Sequence, residues 1–213
     1  MAIVKCKNLT VKNNAQGWKD FFDSFNSSII STSISGEILN VTVDNDLIIQ
    51  FDDFSGTWFY IRVYRNGTQL TSKPMESGSD GKQELTIAAS ADMFYLQLKD
   101  RFPHYFSVVY ENVASTNLYG YYYDASSRIP ITAMTLYDVN SVETYTHGNV
   151  LNYACGIGTL NYLPNDIIYS GSSKYALDSN FIACSTVTLN TMITFNGKNY
   201  YSVGTHTLIP MEN

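Results

Sequence analysis

The side chains able to do chemistry in this chain are few and scattered. His104, His147 and His206 lie far apart, with no HxH or HxxxH spacing. A zinc site would need them to converge with thiolates or carboxylates. Cys6, Cys155 and Cys184 are as dispersed and include no CxxC pair, so they read as reduced, small apolar residues. Asp44, Asp46, Asp52 and Asp53 form a short acidic cluster, and calcium prefers several oxygens. The EF-hand pattern fails, because the sixth position from Asp44 is not glycine and Ser55 occupies the twelfth. A solvated turn is the expected reading. Gly156-Ile157-Gly158 has the first two glycines of a dinucleotide loop but neither the third nor a following helix. There is no GxSxG elbow, Walker loop or HExxH. A hydrolase carboxylate pair needs only to converge in space, and the sequence singles none out. The expectation is a protein that is not an enzyme and carries no cofactor or metal.

Recognition is better represented than catalysis. In Leu118 to Asp124, LYGYYYD, an extended backbone puts Tyr119, Tyr121 and Tyr123 on one face. Such a row could be covered by the protein itself, serve as rigid amphipathic interface residues, or stack on sugar rings. Trp18, Phe22 and Trp58 join the three tyrosines as candidate aromatics for an interface or a ligand.

The elements that must position these residues are mainly strands. In Val187 to Val203, the apolar Val187, Leu189, Ile193 and Phe195 alternate with polar or flexible residues. Asn196-Gly197 then suits a type I′ turn. A two-residue loop sets Phe195 opposite Lys198, Ile193 opposite Tyr200, and Met192 opposite Tyr201. A second such hairpin turns at Asn66-Gly67 and places Val63 opposite Leu70. Before that turn, Phe59, Ile61 and Val63 face one way, and Trp58, Tyr60, Arg62 and Tyr64 the other. Further strands are expected at Ile3–Val11, Glu37–Asp44, Leu47–Phe51, from Leu85, Met93–Lys99, His104–Val113, Ile131–Val139, Tyr145–Cys155 and Thr205–Pro210. Lys73 to Lys82 reads as an exposed loop. One helix is expected, GWKDFFDSF, capped by Asn13 or Asn14, with Trp18, Phe21, Phe22 and Phe25 on one apolar face. The favoured role for it is to plug the end of a sheet.

Strands spaced by roughly ten residues predict an all-β fold, an antiparallel sandwich or barrel-like structure with one short N-terminal helix. A break at Ala114 to Asn117 divides it into a β domain over 1–115 and another over 116–213, or 1–213 forms a single domain.

Composition narrows the partners. Hydrophobic residues make up 45%, which supports a core, while charged residues are only 15%, below the usual quarter. Seventeen tyrosines and 11 phenylalanines favour strands. A net charge of −6 with no basic cluster argues against nucleic acid and against acidic membranes. No apolar run approaches a membrane helix. MAIVKCKNLT has no long apolar core and no cleavage-like site, so the chain reads as made in a cytosol. Asn-x-Ser/Thr triplets at Asn8, Asn26, Asn40 and Asn66 are then chance matches in an Asn-rich chain.

The C-terminal stretch FNGKNYYSVGTHTLIPME joins an Asn-Gly-Lys hairpin, an aromatic pair, a glycine and a short apolar tail. It resembles the ends of small structural proteins of tailed bacteriophages of gut bacteria. The resemblance covers Ile193 to Glu212. It implies a virion component of the tail, baseplate, neck or capsid surface, made in the bacterial host cytoplasm. Such a protein acts by assembly, as a homo-oligomer and with other virion proteins. The alternative expectation is a carbohydrate-binding or receptor-binding module with a cell-surface glycan as its partner.

Overall fold

The computed structural model describes residues 11–25, 27–78, 81, 83–100, 104–113 and 116–124. Beyond these it describes 135–138, 144–147, 155–157, 160–162, 167–170, 173–176, 182–183, 188, 191–195, 197–204 and 207–211. The expected strand at Ile3–Val11 lies outside them except for Val11, which is not in a strand. The chain forms two compact units. An N-terminal unit comprises Val4–Val108 with Tyr123–Ser127; a C-terminal unit comprises Val109–Tyr122 and Arg128–Asn213 with Met1–Ile3.

In the N-terminal unit, helix α1 spans Ala15–Ser24. Asn14 is extended (φ −152°, ψ 164°), and its side-chain oxygen accepts the Gly17 N–H at 2.9 Å. One of the helix's orphan amide groups is thereby satisfied. At the other end the Phe25 N–H donates to the Phe22 carbonyl at 3.1 Å. Trp18 and Phe22, four residues apart, turn the same way and are buried.

Five strands follow as an antiparallel meander: β1 (Ile30–Ser35), β2 (Ile38–Val43), β3 (Leu47–Ser55), β4 (Trp58–Arg65) and β5 (Thr68–Glu76). Alternation decides which face is covered. Leu39, Val41, Val43, Leu47, Ile49, Phe51, Phe59, Ile61, Val63 and Met75 are buried, and register stacks them across strands: Val41 with Ile49, Ile49 with Val63, Phe51 with Ile61, Phe59 with Met75. Helix α1 lies across β1, β2 and β3 on this side. Its Trp18 ring stacks on Phe51 at 4.9 Å and meets Phe59 at 5.8 Å. The helix therefore covers a sheet face rather than closing a sheet end.

Two expectations about this sheet need correction. β5 runs to Glu76, so Lys73 to Glu76 is strand and not loop. It is an outer strand among those described, where Pro74, lacking an N–H, is tolerated. The Asn66-Gly67 turn forms with φ of 49° and 73°, but Val63 pairs with Thr71, not Leu70. A bulge inserts one extra residue into β5 just past the turn.

β6 (Glu84–Ala89) and β7 (Met93–Lys99) form an antiparallel hairpin. Residues 93 to 98 are all buried, including Gln97, whose amide donates to the Ser107 hydroxyl at 3.2 Å. β8 (Tyr105–Val113) contains the point where the division between units falls.

In the C-terminal unit, β9 (Thr116–Asp124), β10 (Thr135–Asp138), β11 (Thr144–His147), β14 (Ile167–Ser170) and β15 (Ser173–Ala176) are antiparallel neighbours in that order. β12 (Cys155–Ile157) pairs with β13 (Leu160–Tyr162) in a separate ribbon. The strand expected over Tyr145–Cys155 is thus two elements in different sheets. A four-stranded sheet runs β16 (Ile182–Ala183), β19 (Thr207–Met211), β18 (Lys198–Gly204), β17 (Met192–Phe195). Its hairpin has the expected register: Phe195 opposite Lys198, Ile193 opposite Tyr200, Met192 opposite Tyr201. Of the strand expected from Val187, Met192–Phe195 is strand, Thr188 and Thr191 are not, and Val187, Leu189 and Asn190 lie outside the described residues. Thr188 and Thr191 are not extended pairs, because the buried Ser202 holds them: its hydroxyl donates to the Thr188 carbonyl at 2.6 Å and accepts the Thr191 N–H at 2.9 Å. The described chain is all-β, in several antiparallel sheets, with one short helix.

Candidate functional site

The face of the five-stranded sheet opposite α1 carries the residues that β4 turns outward: Trp58, Tyr60, Arg62 and Tyr64. Here the largest apolar side chains are exposed: Trp58 by 46%, Tyr60 and Ile38 by 37% each. They cluster at one end. Trp58 opposes Ser55 on β3 and Glu76 on β5, Tyr60 opposes Asp52 and Pro74, and Ile38 opens β2.

Arg62 organises the centre of this face. Its guanidinium pairs with Asp52 and, at 2.8 Å, with Asp53, and its ζ carbon lies 5.0 Å from the Tyr60 ring centroid. Successive residues of a flat strand point to opposite faces. Two adjacent aspartates reach one arginine here because β3 is irregular between Asp52 and Ser55, and Asp53 adopts φ +51°. Asp52 is buried beneath the guanidinium, while the Asp53 side chain remains 64% exposed. The expected solvated turn is therefore true of Asp44, which is exposed, whereas Asp46 is half-buried beside Arg65. Asp44 and Asn45 take positive φ at the β2–β3 turn, and Asp46 lies 3.4 Å from Arg65 Nε.

Beside the ion cluster runs a row of amides. Gln50 Nε2 donates to Asn40 Oδ1 at 3.1 Å. The Tyr64 hydroxyl lies 2.9 Å from Gln69 Oε1 and 3.3 Å from Gln50 Oε1, sharing its one proton between them. These bonds cross four strands and fix the polar side chains in place. The result is a surface that is aromatic at one end and hydrogen-bonded across its strands. Such a surface can stack a ring and order its polar substituents.

The structure separates the expected interface aromatics. Trp18 and Phe22 belong to the core of their own unit, each 1% exposed, and only Trp58 among the tryptophans reaches the surface. Tyr119 is buried and Tyr121 half-buried. Both pack on Tyr137 of the neighbouring strand, at 5.5 and 6.3 Å. Burial, then the neighbouring phenols of Tyr137 and Tyr119, raise the Tyr121 hydroxyl above its ordinary pKa. The Tyr123 side chain lies outside the described residues, as do those of His147, His206 and the three cysteines. His104 Nδ1 stands 3.8 Å from Asp100, whose other oxygen accepts the Glu76 N–H at 2.7 Å. Among the described residues no three His, Cys, Asp or Glu side chains group as a metal site. Sequence alone marks Asp53 only as one member of an acidic cluster, and Tyr60 and Arg62 only as residues on the outward face of β4. The period-2 pattern of β4 puts Tyr60 and Arg62 beside Trp58, whereas nothing in the sequence marks the bend that brings Asp53 in. No protein-family model matches the chain, nor does any curated protein or solved structure.

Proposed function

We propose that this chain is a structural protein of a tailed-bacteriophage virion, in the tail, baseplate, neck or capsid surface, acting by subunit assembly. It is made in the bacterial host cytoplasm and joins copies of itself and other virion proteins, without nucleic acid or membrane as a partner. The observation that supports this reading most is the hairpin carrying the resemblance. Its outer described strand, β17, reads Met-Ile-Thr-Phe, with neither charge nor proline to discourage edge pairing, and Met192 on it is exposed. An uncharged, apolar strand edge is a template for another chain. The test is mass spectrometry of purified particles together with sedimentation of the isolated chain. Presence in particles and a defined oligomer are expected. A strict monomer that is absent from particles would refute the reading.

A second reading, a carbohydrate-binding or receptor-binding module, is favoured by one observation: the exposed Trp58 and Tyr60 over an ordered polar face.

A further inference from the structure

We infer that the open face of the five-stranded sheet is a binding site for a neutral polysaccharide. A pyranose ring stacks on Trp58 beside Tyr60, and its hydroxyls donate to Asp53. This names residues and a ligand class for the carbohydrate-binding reading and rests on that reading alone.

Three observations select the occupant. The first is area. Trp58, Tyr60 and Ile38 expose 46%, 37% and 37% of themselves. With aromatic side chains contributing on the order of 150–250 Å² each, the apolar patch amounts to roughly 250 Å². A stable protein–protein contact buries about 800 Å² per partner, of which about 450 Å² is apolar. The patch is therefore too small for a second copy of the chain, and it suits one or two sugar rings.

The second is charge. One guanidinium, Arg62, faces two carboxylates, Asp52 and Asp53, so the cluster carries a net negative charge. Arg62 is held by both and stacks on Tyr60. An anionic glycan or a nucleic acid would meet repulsion with no uncommitted cation in the cluster to offset it, whereas a neutral sugar meets none.

The third is the arrangement of acceptors. A pyranose offers an apolar C–H face and a rim of hydroxyl donors. The Asp53 carboxylate is 64% exposed and anchored at 2.8 Å through one oxygen to Arg62. A carboxylate accepts charge-assisted hydrogen bonds from hydroxyls, and these are stronger than neutral ones. The tie to Arg62 pre-orders that carboxylate, so less freedom is lost on binding. The bulge at Asp53 thereby gains a use: it brings an acceptor to the guanidinium that lies over the Tyr60 ring.

The chain's two tryptophans supply the readout, since Trp18 is buried and Trp58 exposed. The full chain is titrated with cellohexaose, maltohexaose and chitohexaose, following tryptophan emission and, in parallel, calorimetric heat. At least one of these neutral sugars is expected to shift emission to the blue, with a Kd between about 10 μM and 5 mM. Trp58→Ala is expected to weaken the calorimetric affinity at least tenfold and Asp53→Asn severalfold. Tyr121→Phe, in the other unit, leaves it unchanged. Circular dichroism verifies that each variant is folded. The inference is overturned if none of the three sugars binds at about 10 mM, or if binding survives Trp58→Ala. It is also overturned if Trp58→Ala instead dissolves an oligomer that the wild-type chain forms. None of these outcomes bears on the presence of the chain in particles, so the virion reading stands or falls separately.

Discussion

Replacing Trp18 and Trp58 in turn gives opposite outcomes if the two faces of the five-stranded sheet have different work. Trp18 is 1% exposed, stacked on Phe51 at 4.9 Å and in contact with Phe22, Phe59 and Phe21 at 6.1, 5.8 and 6.3 Å. Trp18→Ala removes the piece that joins helix to sheet, and large-to-small changes of this kind cost about 3–5 kcal/mol. For a unit on the order of 100 residues each kcal/mol shifts Tm by roughly 4–8 °C, so a loss of about 12 °C or more is expected. The buried indole N–H has no hydrogen-bond partner. Trp18→Phe therefore retains the stacking, sheds an unpaired donor, and is expected to cost less than about 1.5 kcal/mol. Trp58→Ala touches a half-exposed ring and is expected to stay within about 0.5 kcal/mol of wild type. The assay is thermal and urea unfolding followed by circular dichroism. Comparable losses for Trp18→Ala and Trp58→Ala, or a Trp18→Ala variant as stable as the wild type, would refute the reasoning.

Three further outcomes follow from the same unit. Gly17→Ala would ordinarily strengthen a helix by about 1 kcal/mol. Here a Cβ would sit 2.7 Å from the Lys12 carbonyl oxygen and 2.9 Å from Lys12 Cβ, so a net destabilisation of about 1–2 kcal/mol is expected in denaturant melts. Arg62→Ala strands the buried Asp52 carboxylate and is expected to cost about 3 kcal/mol. Adding Asp52→Asn is expected to recover at least about 1 kcal/mol of it, measured as a double-mutant cycle. Hydrogen bonds from Lys19, then from Thr32, hold the Asp23 carboxyl below its ordinary 3.8. A depressed folded-state value means that its contribution is present above pH 3.8 and is lost as pH falls through the folded value. Asp23→Asn is expected to lower neutral stability by less than about 1 kcal/mol and to flatten the acid limb of a pH–stability curve. An unchanged acid limb would count against that hydrogen-bonded arrangement.

Local pattern carried far in this chain, and it stopped where structure depends on a neighbour. The alternation in Trp58–Arg65 divided the two faces of β4 as built, and the Asn-Gly turn set the register of the C-terminal hairpin. The spacing of Trp18 and Phe22 marked the inner face of α1, and Asn14 is its cap. β1, Ile-Ser-Thr-Ser-Ile-Ser, was missed, since its serines and threonine weaken the apolar signal even though Ile30, Thr32 and Ile34 alternate with exposed serines. The extra residue at Leu70 was invisible because the turn's chemistry fixes only the first pairs beyond it. Of the candidate site, Trp58 could be read from period alone. The pairing of Asp52 and Asp53 with Arg62 could not, because it needs a backbone bend at φ +51° that an aspartate only sometimes adopts. The packing of Tyr119 and Tyr121 on Tyr137 was equally hidden, since it depends on which strand lies alongside.

The division of labour between the two sheet faces is tested most directly by acrylamide quenching of the single-tryptophan variants Trp18→Phe and Trp58→Phe. With Trp58 as the lone emitter, quenching should be substantial though below that of free indole; with Trp18 alone, it should be several times weaker. Equal quenching of the two, or a shielded Trp58, would contradict a sheet that packs one face against α1 while the other is open to a ligand.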